Sequence, residues 1–136
     1  MNGPADSAFD LSETFVHLGL GSSAVPVPDF EWTPEFLERY SKQFASDRDE
    51  GRLVMIGASN NTWTYWERHP AGEELVVVLS GELVLFQEID GSTRSVPMKS
   101  GEAMVNPRGV WHTVDVRKPG RCLFVTPGRG TEHRPR

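Results

Sequence analysis

The sequence has very little cysteine and no long hydrophobic run. Cys122 is the single cysteine, so the chain cannot form an internal disulfide bond. Its place in the apolar segment Cys122 to Val125 predicts a buried hydrophobic side chain and not a catalytic thiol. No stretch approaches the roughly eighteen consecutive apolar residues of a membrane-spanning helix, and no leader segment combines basic residues with an apolar stretch. We therefore expect a cytoplasmic protein without a membrane partner.

Positively charged residues are also fewer than negatively charged ones. Lysine and arginine number 14 against 19 aspartate and glutamate residues, which gives a formal net charge of −5. An acidic protein does not attract phosphate backbones, so nucleic acid is not an expected partner. The hydrophobic share of 38% is enough to close one core in a chain of 136 residues, which predicts a single domain.

One segment has the spacing of an amphipathic helix. Thr33 can accept hydrogen bonds from the free amides of a helix start, and Pro34 suits the first helical position. Apolar side chains then recur at helical spacing, at Phe36, Leu37, Tyr40 and Phe44. We predict a helix over residues 33–46, a loop at 19–29 before it, and a turn with solvated charges at 47–51.

The remainder of the chain has the pattern of short β-strands. A first short strand is predicted at Phe15–Leu18. From Arg52 onward, β-branched and aromatic residues form runs that are bounded by Gly, Pro, Asn or Asp. These predicted strands are Leu53–Ala58, Thr62–His69, Leu75–Leu79, Leu83–Ile89, Ser92–Pro97, Ala103–Asn106, Val110–Val116 and Arg121–Thr126. Short strands at this spacing are typical of a sandwich or barrel.

The predicted domain is therefore all-β with a helical extension. The extension covers residues 1–50 and carries one helix, and the barrel covers residues 51–136. Ser80-Gly81 and the segment 90–92 (Asp-Gly-Ser) predict hairpin turns between strands. The glycine-rich tail after Thr126 is expected to be flexible, with His133 at the surface and away from any metal.

Residues of metal-ligand type are concentrated on two of the predicted strands. Side chains alternate between faces, so Trp63, Tyr65, Glu67 and His69 point to the same side. A turn at residues 70–72 then directs Glu74 back toward that side. His112 lies among valines on a later strand. A lone buried histidine is more often a satisfied core residue, so the spacing of the whole group carries the prediction.

These residues fall in two motifs that resemble the paired motifs of the cupin superfamily. The first, G-x5-H-x-H-x3,4-E-x6-G, is matched in spacing by Asn61, Glu67, His69, Glu74 and Gly81. The second, G-x5-P-x-G-x2-H-x3-N, is matched by Gly101, Pro107, Gly109 and His112, with Val116 in place of the asparagine. The resemblance spans residues 61–116. It implies a double-stranded β-helix, the jelly-roll barrel of the cupins.

The resemblance also implies a metal ion bound by three imidazoles and one carboxylate. Here Glu67 stands in place of one imidazole, so the expected ligands of one divalent ion are Glu67, His69, Glu74 and His112. Two carboxylates would cancel the ion's charge, and the set suits Mn, Fe, Zn or Ni without choosing among them. Alternatively, Glu67 stays off the metal and acts as a general base. A metal-free cupin that binds an organic ligand is the remaining interpretation.

The expected function is that of a small metalloenzyme acting on a small organic molecule. A dioxygenase-like reaction is the first choice, with Tyr65 or Glu67 handling a proton, and isomerase or lyase chemistry also occurs on this fold. The alternatives are a non-catalytic cupin that binds or senses a ligand or metal, and a subunit of a larger assembly. The run Leu75–Leu79 is apolar on both faces, so we expect the helix or a second subunit to cover its outer face, in a homodimer.

Overall fold

The computed structural model describes residues 6–136. Within this part of the chain, nine strands and one α-helix are joined by turns and two short 3-10 helices. The strands are β1 (Phe15–Gly19), β2 (Ser23–Val27), β3 (Arg52–Ser59), β4 (Tyr65–Arg68), β5 (Glu74–Ile89), β6 (Ser92–Lys99), β7 (Ala103–Asn106), β8 (His112–Thr126) and β9 (Glu132–Pro135). Helix α1 covers Pro34–Gln43. The all-β fold class with a short helical extension is confirmed.

Two long antiparallel strands, β5 and β8, connect the two halves of the barrel. The first half of β5 pairs with the last half of β8, and this ladder is flanked by β7 and by β3, β1 and β2. The second half of β5 pairs with the start of β8, flanked by β6 and by β4 and β9. Both halves contribute to one buried core, formed by Val78, Leu83, Leu85, Met98, Val114 and Cys122. The predicted burial of Cys122 is confirmed.

The predicted hairpin at Ser80-Gly81 is wrong, because β5 continues through it. The register of β5 on β8 shifts between Val78 and Leu83, and the strands bend there from one half of the barrel to the other. A Cβ atom on Gly120 would lie 2.0 Å from the carbonyl oxygen of Ser80, so the two backbones approach too closely for any side chain. The pairs of short strands predicted on either side of this crossing are therefore single long strands. The turn predicted at residues 90–92 does connect β5 to β6.

The N-terminal extension adds strands as well as the helix. The segment predicted as a loop, 19–29, contains β2, which pairs with β1, and β1 pairs with β3 of the barrel. Helix α1 begins as predicted, with the side chain of Thr33 accepting a hydrogen bond from the amide of Phe36. The charges of 47–51 were expected to be solvated, which is wrong for Asp47: its carboxylate accepts hydrogen bonds from the buried ring of His17 and the amide of Leu20.

The C-terminal segment is also ordered by strand pairing, contrary to the expectation of a flexible tail. Strand β9 pairs antiparallel with β4, which places His133 opposite Glu67. This pairing was not predicted because the tail has none of the apolar alternation of the other strands. Within residues 6–136 there is no helix with the length and hydrophobicity that crossing a bilayer requires.

Candidate metal centre

Four side chains from three parts of the barrel converge on its inner wall. Glu67 lies on β4, His69 directly follows that strand, Glu74 begins β5 and His112 begins β8. Each offers one ligand atom, and these atoms all lie within 4.8 Å of one another. The pairing of Glu67 opposite His112 in the ladder brings the two sequence motifs together. The structure thus places all four predicted ligand residues in one cluster.

The two imidazoles face the two carboxylates through their Nε2 atoms. His69 Nε2 lies 3.2 Å from an oxygen of Glu67 and 3.2 Å from an oxygen of Glu74. For His112 Nε2 the corresponding distances are 3.6 Å and 3.4 Å. His69, Glu74 and His112 are at most 3% exposed, and neither Nε2 has a hydrogen-bond partner among the described residues. Buried polar atoms without a partner are costly, so these nitrogens point to a ligand between them.

The distances fit a divalent ion. Ligand atoms about 2.1 Å from one ion, at angles between about 90° and 110°, lie about 3.0–3.5 Å apart. The four nitrogen–oxygen distances, from 3.2 to 3.6 Å, fall in or beside that range. Imidazole nitrogen and carboxylate oxygen are also the donors that Mn, Fe, Ni and Zn accept in proteins. The residues present therefore suit the group that the fold implies.

The cluster perturbs the protonation of its own members. Burial favours the neutral form of His69, but the carboxylates of Glu67 and Glu74 outweigh it and raise the pKa of His69 to about 9. Burial likewise opposes ionisation of Glu67, but the rings of His112 and His69 outweigh it and hold the pKa of Glu67 well below its usual range. Protons and a metal ion therefore compete for the same atoms.

Glu74 is held by a buried network that sequence reasoning did not find. Its two oxygens accept hydrogen bonds from Asn106 Nδ2, at 3.0 Å, and from Thr126 Oγ1, at 2.6 Å. The side chain of Asn106 accepts in turn from Gln87 Nε2 at 2.8 Å, and Gln87 accepts from Arg94. Asn106 and Gln87 are almost completely buried. Gln87 lies near the end of β5 and Asn106 ends β7, so their positions in the sequence did not mark them as buried.

Each histidine is also held at its second ring nitrogen. His112 Nδ1 lies 3.3 Å from the carbonyl oxygen of Val110. Because a carbonyl only accepts, this Nδ1 carries the proton, and Nε2 is the ring nitrogen that faces the carboxylates. His69 Nδ1 lies 2.8 Å from Thr131 Oγ1 in the C-terminal segment. Outer contacts of this kind orient metal-binding imidazoles.

Tyr65 and His133 lie beside the cluster. Tyr65 lines the same cavity as Glu67, and its ring stacks on Trp63 with the centroids 5.0 Å apart. Burial and the nearby charges of Glu67 and Glu74 raise the pKa of Tyr65, so its phenol stays protonated at neutral pH. His133 is about half exposed, as predicted, but its Nε2 lies 2.6 Å from the outer oxygen of Glu67, a contact that was not expected.

A cavity of about 810 Å³ extends from the cluster to the N-terminal extension. Its middle is lined by apolar side chains of the barrel, including Met55, Trp63 and Phe124. Its far end is formed by the extension, through Phe30, Trp32, Leu37, Tyr40 and Phe44. Helix α1 thus lines part of the cavity, and Leu79 on the outer face of β5 stays exposed.

Comparison with known families settles what kind of barrel this is. The family model of the cupin domain matches residues 54–126, more than half of the chain. The protein is a cupin. The matched range contains all four residues of the cluster, whereas the N-terminal extension and strand β9 lie outside it. No curated protein sequence matches this cupin.

Solved structures share the fold at low sequence identity. Oxalate decarboxylase from Bacillus subtilis, which has Mn(II) centres, superposes with a TM-score of 0.52 at 16% identity, over 70% of this chain and 26% of that one. Hydroquinone 1,2-dioxygenase from Sphingomonas sp. TTNP3 gives 0.46 at 12% identity, over 55% of this chain and 58% of that one. A cupin-2 domain containing protein from Shewanella frigidimarina gives 0.46 at 19% identity, over 62% and 71%. This cupin thus spans only part of the two enzymes, and the likeness concerns the fold alone.

Proposed function

We propose that this cupin binds one divalent metal ion through Glu67, His69, Glu74 and His112 and acts on a small organic molecule in the adjoining cavity. The observation that carries the proposal is the pair of buried Nε2 atoms that face the carboxylates of Glu67 and Glu74 without a hydrogen-bond partner among the described residues. The two negative carboxylates balance the charge of a divalent ion, and the two imidazoles bind it in their neutral form. Burying the carboxylates and the ion together therefore costs less free energy than burying either of them alone.

The reaction that we favour is dioxygenase-like. A redox-active ion held by four protein ligands would supply Lewis acidity and electron transfer at the wall of the cavity. The chain's own part is to hold the substrate and to handle its proton. Tyr65, with its raised pKa, is a hydrogen-bond donor toward the substrate at neutral pH. In the alternative in which Glu67 stays off the metal, this partly exposed carboxylate of the cluster is the candidate proton acceptor.

The cavity supports a substrate with one oxygen-rich end and an apolar body. The cluster supplies the polar end, and Met55, Trp63 and Phe124 form apolar walls beyond it. At about 810 Å³, the cavity has the size of pockets that enclose small organic molecules. We infer that the extension before Gly51 and the barrel after it form one binding unit, because both line this space. The homodimer and the cytoplasmic location stay predictions.

Metal analysis of matched variants tests the proposal. Wild-type protein purified from its own host is expected to contain close to one equivalent of Mn, Fe, Ni or Zn. Glu74→Gln and His112→Ala should each lower that content below about one tenth, because each removes one of the four proposed ligands. Glu82→Gln is the control, since Glu82 is an exposed residue of the same strand and pairs with Lys118. Full metal content in His112→Ala would contradict the assignment.

Metal identity then separates the two functions left open by the sequence. A redox-active ion, together with oxygen uptake that depends on an added phenolic or hydroxy-acid substrate, supports the dioxygenase-like reaction. Tightly bound zinc without turnover would instead favour a non-catalytic binding or sensing cupin.

A further inference from the structure

We propose that the C-terminal segment 128–136 completes the metal centre, with Thr131 and His133 acting as positioning residues for His69 and Glu67. This inference rests on the proposed metal site and adds to it. The segment lies beyond the matched cupin range, which ends at residue 126, and the sequence motifs of the site do not include it. It nevertheless contacts two of the four proposed ligands directly.

Thr131 determines which nitrogen of His69 faces the site. Its hydroxyl lies 2.9 Å from the carbonyl oxygen of Gly128, which only accepts, so the single hydroxyl proton is donated there. The hydroxyl oxygen must then accept from His69 Nδ1, 2.8 Å away. With the Nδ1 proton held by Thr131, Nε2 is the nitrogen that presents a lone pair to an ion.

His133 determines which oxygen of Glu67 faces the site. Its Nε2 lies 2.6 Å from Glu67 Oε2, while Oε1 of the same carboxylate lies 3.2 Å from His69 Nε2. The ring of His133 also contacts Tyr65 edge-on, with the centroids 5.3 Å apart. Glu67 is the one proposed ligand that is partly exposed, so without His133 its side chain has the most freedom to turn away.

The segment is held in place by contacts that do not involve the cluster. Strand β9 is paired along its length with β4. On the other face of the strand, the guanidinium of Arg134 lies over the rings of Trp66 and Trp111, 5.2 and 4.6 Å from their centroids. Arg136 donates hydrogen bonds to the carbonyl oxygens of Trp63 and Val114. Strand β9 therefore presents His133 to the site as a fixed donor, and the turn just before it presents Thr131 as a fixed acceptor, which limits the cost of ordering the ligands on binding.

Cobalt(II) binding by point variants tests this inference. Thr131→Val removes the hydroxyl at nearly constant volume, and His133→Phe keeps the ring beside Tyr65 but removes its nitrogens. Each is expected to weaken Co(II) binding, measured by competition with a chromophoric chelator, by about 10- to 100-fold. Each should also change the visible absorption spectrum of the bound Co(II). Thr131→Ser should restore both the affinity and the spectrum.

The control is Glu132→Gln in the same strand. Glu132 points away from the cluster and pairs with Arg68, so this variant should bind Co(II) like the wild type. Wild-type affinity and spectrum in Thr131→Val and His133→Phe would overturn the inference alone, as would equal weakening in Glu132→Gln. If the wild-type protein itself fails to bind Co(II), both the inference and the proposed function are wrong. Circular dichroism and thermal unfolding of each variant show that its fold is retained.

Discussion

At the scale of single residues, Glu67 sets the charge of the proposed centre. It stands where the cupin motif has a histidine, and its inner oxygen lies within 3.6 Å of both imidazole Nε2 atoms. With two carboxylates, the site and a divalent ion together carry no net charge. A histidine at the same position would leave one positive charge in a buried environment, where charges are weakly screened.

We predict that Glu67→His retains Co(II) but binds azide more tightly. Removing one negative charge within about 4 Å of an added anion relieves on the order of 1–4 kcal/mol, so azide affinity should rise at least about fivefold. Titration of azide into the Co(II) protein, followed by visible absorption, measures this. Glu82→His, an exposed change of the same type, should leave azide binding unaltered. Equal azide affinity in Glu67→His and the wild type would place Glu67 off the metal.

A second residue-scale prediction concerns the strand crossing. Gly120→Ala should lower the free energy of unfolding by about 3 kcal/mol or more, because its Cβ would lie 2.0 Å from the Ser80 carbonyl oxygen and 2.7 Å from the Gly81 amide nitrogen. Gly128→Ala should change it by less than about 0.5 kcal/mol, since a Cβ there meets no atom within 4 Å among the described residues. Urea unfolding compares the two, and equal stability would contradict the close crossing of β5 and β8.

At the scale of secondary-structure elements, one hydrogen-bonded group fastens the N-terminal extension. The buried ring of His17 on β1 contacts the hydroxyl of Tyr40 on α1 at 2.5 Å and the carboxylate of Asp47 at 2.6 Å. The ring also stacks on Phe44, with the centroids 3.7 Å apart. These contacts join the helix and the following 3-10 turn to β1, which pairs with β3 of the barrel, and they support the part of the cavity wall that α1 lines.

Removing the carboxylate of Asp47 should make the N-terminal extension less stable. Asp47→Ala leaves a ring nitrogen of buried His17 without its partner, which is expected to cost about 1–3 kcal/mol of unfolding free energy. Asp49→Ala is the control, because its ion pair with Arg129 is exposed and should contribute less than about 1 kcal/mol. Hydrogen exchange of the α1 amides should accelerate in the first variant only. Unchanged exchange in Asp47→Ala would show that other contacts hold the helix.

At the scale of the whole molecule, the cluster links stability to pH in the chelator-treated protein. The pKa of His69 is raised from 6.5 to about 9 in the folded state. Its contribution to stability is therefore complete below pH 6.5 and is lost as the pH rises through about 9. Glu67, with its lowered pKa, contributes in the opposite sense and loses its contribution as the pH falls through its folded pKa.

We accordingly predict that the unfolding free energy of chelator-treated protein falls between pH 7 and 10. Urea unfolding at several pH values measures the slope, and His69→Gln should flatten it because the titrating group is gone. A slope that persists in His69→Gln would assign the effect to another group. Added metal should raise the stability of the wild type across this range, by an amount that grows with its free concentration over the dissociation constant.

Whether a feature could be predicted from the sequence depends on how far apart along the chain its interacting residues lie. Glu67, His69 and Glu74 lie within eight positions, so strand alternation and one turn suffice to aim them at a common side. Asn106, Thr126 and Thr131 contact those ligands from 32 to 62 positions away in the chain. Local sequence patterns do not indicate contacts between residues so far apart in the chain, so these residues were not predicted.

The sequence by itself determined the alternation of the strands, the start of α1 and the cluster of four ligand-type residues. The strand alternation, the start of α1 and the shared side of Glu67, His69 and Glu74 depend on backbone geometry or on spacing within a short segment, whereas His112 was included because of the resemblance to the cupin motifs. Only the tertiary structure decided that β5 and β8 run unbroken through the barrel, that α1 lines the cavity, and that the C-terminal segment contacts Glu67 and His69. These features depend on contacts between residues that lie far apart in the sequence. Such contacts form only when the chain folds around its core.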